Sequence, residues 1–142
     1  MPGRLSFEAR LDEPYDRVLD RVVEALKEEG FGVLSKIDVK ETLKEKMDAD
    51  FRAYTILGAC NPPLAHRALV HKAEMGLMLP CNVTVEESES GGAIVRVVNP
   101  EALLEGSGMS DDAVLGEVAA EAGRRLRRVA EAVKAASRTK TG

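Results

Sequence analysis

Two cysteine–asparagine pairs are the residues of this chain whose types could do chemistry. The 142-residue sequence contains only two cysteines and three asparagines, yet Cys60 is followed by Asn61 and Cys81 by Asn82. A thiolate can act as a nucleophile, a redox group or a metal ligand, and an amide side chain both donates and accepts hydrogen bonds. The segment from residue 58 to residue 82 is therefore the predicted site region.

The first pair precedes a predicted helix. Asn61 followed by Pro62 is typical of a helix start, because asparagine is a preferred N-cap and proline suits the first helical position. Backbone N–H groups and the helix dipole favour an anion at such an end, so Cys60 is expected to be an unusually reactive thiol. The alternative is that Asn61 only caps the helix and Cys60 is a small buried residue.

The second pair opens a predicted strand, in which successive side chains point to opposite faces. Alternation with Val83 places Cys81 on the apolar face, which is typical of a core cysteine. Asn82 then shares the other face with Thr84. Because asparagine is unfavourable in strands, we expect Asn82 to make a specific hydrogen bond.

The residue types are compatible with three functions. The preferred one is a small anion or metabolite bound in a polar pocket lined by Cys60, Asn61, His66, Cys81 and Asn82. One alternative is a cysteine-dependent enzyme with Cys60 as nucleophile and His66, which shares a predicted helix face with Glu74, as base. Another is a soft-metal site formed by Cys60, Cys81 and His66. The sequence has no CxxC or HExxH pattern and names no cofactor.

Hydrophobic periodicity predicts the elements that position these residues. It indicates an α+β fold with a twisted, mainly antiparallel sheet of about five strands, packed against two longer helices and accompanied by two short ones. The strands are predicted at residues 4–11, 31–37, 51–57, 81–87 and 93–98, the last two as a hairpin. The long helices follow Pro14 and the cap Ser110-Asp111-Asp112. The short helices follow Asp38 and Asn61, and the second is expected to reach about residue 73.

Composition limits the protein class. The length fits one domain, assigned to residues 1–136, with a flexible tail at 137–142. A net charge of −4 argues against a nucleic-acid surface, and no apolar run approaches the roughly 20 residues of a membrane helix. The composition, without glutamine or tryptophan and 31% charged, is thermophile-like. We expect a cytoplasmic protein with two free thiols, a Cys60–Cys81 disulfide being the less favoured alternative.

The chain resembles the domain-of-unknown-function family 302 over roughly residues 5–104. The likeness is carried by two blocks, Leu57-Gly58-Ala59-Cys60-Asn61-Pro62-Pro63-Leu64-Ala65 and Leu77-Met78-Leu79-Pro80-Cys81-Asn82-Val83, followed by the hairpin and the Asn99-Pro100 break. The resemblance implies a twisted antiparallel sheet covered by helices, similar in outline to the TATA-binding-protein-like folds, and often a dimer. It implies no activity.

The sheet itself also predicts a homodimer. The two long helices can share one sheet face, which leaves the other face without a cover. That face is expected to carry charged residues of the first strand together with Leu34, Ile56, Ile94 and Val98. Such a mixed charged and aliphatic surface suits a symmetric interface between two copies.

Overall fold

A computed structural model of the chain describes residues 4–140. The strands within this range are β1 (Ser6–Leu11), β2 (Gly32–Asp38), β3 (Tyr54–Cys60), β4 (Cys81–Glu87) and β5 (Ala93–Val98). The helices are α1 (Tyr15–Glu28), α2 (Val39–Met47), α3 (Pro62–His71), α4 (Pro100–Gly106) and α5 (Ala113–Lys140), and a 3₁₀ helix spans Ala73–Met78. The predicted α+β class is confirmed.

The strands form one sheet in the order β1-β5-β4-β3-β2. Every neighbouring pair is antiparallel, and β4 and β5 form the predicted hairpin. The five-stranded antiparallel sheet expected from the sequence is therefore confirmed. Its two edges are β1 and β2, so the strands that hold Cys60 and Cys81, β3 and β4, lie inside the sheet as neighbours.

The two long helices, α1 and α5, cover one face of the sheet and form the main core with it. The buried side chains of this core include Ala9, Val18, Val22, Leu26, Phe31, Leu57, Val83, Val85, Val95, Val97, Leu126, Val129 and Val133. Full burial of one such aliphatic side chain contributes roughly 1.5–3 kcal/mol. Burial of these apolar side chains is thus what holds the two helices against the sheet.

The helix after Asn61 differs from its prediction. α3 ends at His71, and Lys72 adopts an extended backbone with φ −152° and ψ 103° before the 3₁₀ helix begins. The predicted helix to residue 73, with His66 and Glu74 on one face, is corrected by this break. An extended residue ends the helical repeat, so Glu74 no longer continues the face that carries His66.

Two further helix starts follow local capping signals. Asn99, which the sequence indicated only as the end of a strand, also caps α4, since its side chain accepts a hydrogen bond from the Glu101 N–H at 3.2 Å. Asp112, within the predicted cap of the last helix, accepts from the Leu115 N–H at 3.1 Å. α5 then continues to Lys140, so the predicted tail at 137–142 falls partly on this helix and partly outside the described residues.

Within residues 4–140, no long helix covers the sheet face opposite α1 and α5, called the open face below. The strand register aligns Glu8, Arg96, Thr84 and Ile56 in one row across β1, β5, β4 and β3. A bulge in β2 interrupts the register at Leu34, whose side chain is 71% exposed. The open face therefore carries both charged and apolar residues, but two of the predicted aliphatic residues are not open to a partner: Ile94 is buried and Val98 packs against the main core.

Candidate functional site

Asn61 is a buried N-cap of α3. Its Oδ1 accepts a hydrogen bond from the Leu64 N–H at 3.2 Å, as the capping prediction requires. Pro62 and Pro63 have no N–H, and the Ala65 N–H donates to the Asn61 carbonyl at 2.9 Å. The first turn after Asn61 consequently offers an anion no unpaired backbone N–H.

Cys60 and Cys81 lie on neighbouring strands without a bond between them. Ala59 faces Cys81 in the β3–β4 register, so Cys60 is one position beyond the direct partner. Both cysteines are free thiols and half-buried. Burial, and to a lesser degree the nearby Cys60 thiol, raises the pKa of Cys81 to about 11. Cys81 is thus protonated at neutral pH and behaves as the core cysteine that the alternation predicted.

Cys60, Asn61 and Cys81 line an apolar cavity of about 60 Å³ between the sheet end and the helices α3, α4 and α5. Its other walls are aliphatic, for example Leu64, Met75, Leu104, Leu115 and Ala119. A cavity of this size can hold a few water molecules, whereas ligand pockets usually measure about 300–1,000 Å³. These three predicted residues therefore meet, but around a small apolar space.

Asn82 and His66 lie elsewhere. Asn82 is exposed on the open face, where it borders a separate groove of about 560 Å³. His66 is exposed on α3 and borders neither cavity. Within the described residues, no group of three or more histidine, cysteine or acidic side chains is arranged to hold a metal ion. The five predicted residues are thus divided among three locations.

The groove on the open face has an apolar and a polar end. Its apolar walls come from the residue before β1, from the 3₁₀ helix and the two residues after it, and from α4: Leu5, Leu77, Met78, Leu79, Pro80 and Leu103. Asn82, Thr84, Tyr54 and Arg96 supply polar groups along the sheet. Sequence reasoning missed Tyr54 and Arg96, because only the strand register brings them beside Asn82.

Arg96 belongs to a chain of alternating charges across the open face, called the charge ladder below. Arg10 Nε binds Glu8 Oε1 at 2.8 Å, and Arg96 Nε lies 3.6 Å from Glu8 Oε2. Arg96 also donates to Glu86, which accepts a second bond from Arg52 Nε at 2.6 Å. The ladder thus reads Arg10, Glu8, Arg96, Glu86, Arg52.

The centre of this ladder is fixed by a buried carboxylate. The side chain of Glu86 is only 6% exposed. Burial alone would raise the pKa of Glu86, but the hydrogen bonds from Arg52 and Arg96 outweigh it and lower that pKa. The same bond raises the pKa of Arg96. Glu86 is therefore ionised at neutral pH and holds the Arg96 guanidinium beside the groove.

The basic run on α5 is engaged within the chain. Arg124 and Arg125 both bind Glu121, and Arg128 binds Glu29. The Arg127 guanidinium lies 5.2 Å from the centre of the Phe7 ring, a cation–π distance. These contacts account for all four arginines as parts of the α5 surface.

The chain is similar to a known protein family and to a solved structure of that family. The family model described as "Domain of unknown function DUF302" matches residues 7–133. The crystal structure of an uncharacterized conserved protein DUF302 from Bacillus stearothermophilus is similar with a TM-score of 0.80 and 31% sequence identity, covering 92% of this chain and 98% of that one. No curated protein matches the chain. The similarity to TATA-binding-protein-like folds, which the resemblance implied, stays a prediction. The chain belongs to the DUF302 family.

Proposed function

We propose that this DUF302 domain binds a small molecule in the groove on the open face, beside Asn82. The observation that carries the proposal is the groove itself: about 560 Å³ lies within the usual size of a ligand pocket, and apolar walls surround a few polar groups. This retains the predicted ligand-binding role and moves its centre from the first Cys-Asn pair to the second.

The relocation follows from two features of the first pair. The α3 start lacks unpaired N–H groups after Asn61, which weakens the argument for an anion there. The adjoining cavity of about 60 Å³ is too small for a metabolite. The cysteine-dependent enzyme and the soft-metal site remain alternatives, but exposed His66 borders neither cavity and gives them little support.

A groove-filling variant tests the proposal. Small organic molecules would be screened against the protein by saturation-transfer NMR, and hits would be re-measured with Asn82→Trp. Asn82 is exposed, so tryptophan should fill the groove while the fold persists. The matched control is Lys36→Trp, at an exposed position of β2 that does not border the groove.

Loss of the hits in Asn82→Trp and their retention in Lys36→Trp is the expected result. Hits that persist in Asn82→Trp, or an absence of hits with the unmodified protein, would refute binding in the groove. Hits that are lost in Cys60→Ser but kept in Asn82→Trp would favour the cysteine-centred alternatives.

We also propose that the protein is a homodimer in which the open faces of two copies pack together. The charge ladder supports this, because alternating charges become complementary when a two-fold axis offsets two ladders by one position. Leu5 and Leu77, 64% and 88% exposed, would be covered at the same time. In such a dimer the grooves would lie inside the interface.

Light scattering with size-exclusion chromatography tests the dimer. We expect a mass near twice 15.3 kDa at micromolar concentration. A charge reversal at Glu8, Glu8→Arg, should shift the mass toward the monomer, since it places three like charges side by side in the ladder. A mass near 15.3 kDa for the unmodified protein would refute the dimer.

Within residues 4–140, no helix is both long and apolar enough to cross a membrane.

We infer a cytoplasmic location on separate grounds. The support is that both cysteines are unpaired thiols, which reducing compartments maintain.

A further inference from the structure

The ligand of the groove, we infer, is an amphipathic organic anion, with a carboxylate head at Arg96 and an apolar chain running toward the 3₁₀ helix. This inference rests on the proposed binding function of the groove. It adds the chemical class of the ligand and the direction in which it lies.

The head is assigned to Arg96 from its hydrogen-bonding capacity. One terminal nitrogen, Nη1, donates to Glu86, and Nε faces Glu8 at 3.6 Å, beyond a hydrogen bond. The other terminal nitrogen, Nη2, makes no hydrogen bond to another described residue. A guanidinium carries five N–H donors in a planar fork that matches a carboxylate. Arg96 therefore keeps donors for a ligand while Glu86 holds it in place.

The charge of the ladder favours an anion. The ladder has three guanidinium groups, on Arg10, Arg96 and Arg52, and two carboxylates, on Glu8 and Glu86. Among the residues that the structure describes, Arg96 is the one charged residue that borders the groove. A bound carboxylate would supply the third negative charge, so an anionic head is stabilised where a cationic head would be repelled.

Uncharged polar groups next to Arg96 suit the same head. Thr84 faces Arg96 directly in the β4–β5 register, and Asn82 lies on the same strand face two residues away. Neither side chain hydrogen-bonds to another described residue, so the specific hydrogen bond expected for Asn82 is not made within this part of the chain. A hydroxyl and an amide can both donate to carboxylate oxygens that Arg96 does not engage.

The apolar end sets the length of the chain. Pro80 borders the groove four residues before Thr84, which corresponds to about 13 Å at about 3.3 Å per residue. Leu77, Leu79 and Leu103 line that end and bring no charge. A straight apolar chain of medium length can lie along this surface and leave its carboxylate beside Arg96.

Calorimetric titration of the unmodified full chain with four probes tests the assignment. The probes are octanoate, the neutral octanol, the cationic octylamine and the short acetate. We expect octanoate to bind at least about tenfold tighter than octanol, because a charge-assisted hydrogen bond exceeds a neutral one. From acetate to octanoate, affinity should rise by up to about fourfold per methylene.

Two arginine variants form a matched pair. Arg96→Gln removes the charge beside the groove, whereas Arg10→Gln removes one positive charge from the same ladder at a residue that does not border the groove. We expect Arg96→Gln to abolish the preference for octanoate over octanol and Arg10→Gln to keep it. The four-probe comparison needs no variant, so it decides the matter even if Arg96→Gln folds poorly.

The outcomes separate the ligand class from the proposed function. One outcome is that none of the four probes binds, while other small molecules bind to the unmodified protein and not to Asn82→Trp. The groove is then a binding site, but the proposed ligand class is overturned. Equal binding of octanoate and octanol, or tighter binding of octylamine, overturns it as well. Octanoate that binds equally well to Asn82→Trp overturns both the ligand class and the groove as its site.

Discussion

Replacement of Asn61 by alanine tests what this buried amide does. Asn61 is 6% exposed, and its side chain accepts the Leu64 N–H at 3.2 Å. Because two prolines precede Leu64, this N–H is the first one that the helix must satisfy. Asn61→Ala leaves it without its partner, so we expect the free energy of unfolding to fall by about 1–2 kcal/mol.

Two milder variants keep the acceptor. Asn61→Ser and Asn61→Asp both retain an oxygen that can cap Leu64, and aspartate adds a favourable interaction with the helix dipole. A Cβ placed on Gly30 would lie 2.9 Å from Asn61 Nδ2 and 3.2 Å from Arg125 Nη1, so both groups adjoin Gly30. The Arg125 charge should offset part of the cost of burying a carboxylate. We expect each loss to stay below about half that of alanine.

Equilibrium urea denaturation followed by circular dichroism, at one protein concentration, measures these differences. Asn99→Ala is the matched control, because Asn99 is also buried, also precedes a proline and caps α4. It also donates to the Arg4 carbonyl at 3.0 Å, so its loss should equal or exceed that of Asn61→Ala. If Asn61→Asp were as damaging as Asn61→Ala while the Asn99 control lost stability as expected, capping would not be the main role of Asn61.

Three further predictions concern the thiols, the charge ladder and the glycines. Cys60 should alkylate faster than Cys81 at pH 7, since a thiol with a pKa of about 11 is almost wholly protonated there; equal rates in the native state, measured by mass spectrometry, would contradict this. Glu86 has a lowered pKa in the folded protein, so its stabilising effect is fully present above the unfolded value of about 4.3 and is lost as the pH falls from there through the lower pKa of the folded state. Glu86→Gln should therefore lower stability at pH 7 and weaken its dependence on pH in the acid range, which thermal melts from pH 7 downward would reveal. Gly92→Ala should cost about 1–3 kcal/mol because its Cβ would lie 2.0 Å from the Leu11 carbonyl oxygen. Gly116→Ala, with nothing within 4 Å, should stabilise α5 by about 0.5–1 kcal/mol, and chemical denaturation distinguishes the two.

The amino-acid sequence by itself determined the features that depend on near neighbours. Alternation of polar and apolar residues over 4–11 and 81–98 determined β1, β4 and β5. Asn61 and Asp112 each indicated a helix start, because their short polar side chains cap the first turn. These signals are local because a strand repeats every two residues and a cap reaches only three residues along the chain. The same stretch of sequence also argues against an anion site at the start of α3, because Pro62 and Pro63 lack the N–H donors that an anion would need.

Only the tertiary structure decided which polar side chains meet. Adjacent positions on a strand point to opposite faces, so Cys81 joined the core while Asn82 joined the groove, and the two members of one pair were separated. Arg96 came to lie beside Asn82 through the pairing of β4 with β5, and Glu8 came to lie beside Arg96 through the pairing of β1 with β5. Which strands become neighbours, and in which register, depends on how the whole sheet packs under α1 and α5, and no short stretch of the sequence specifies it.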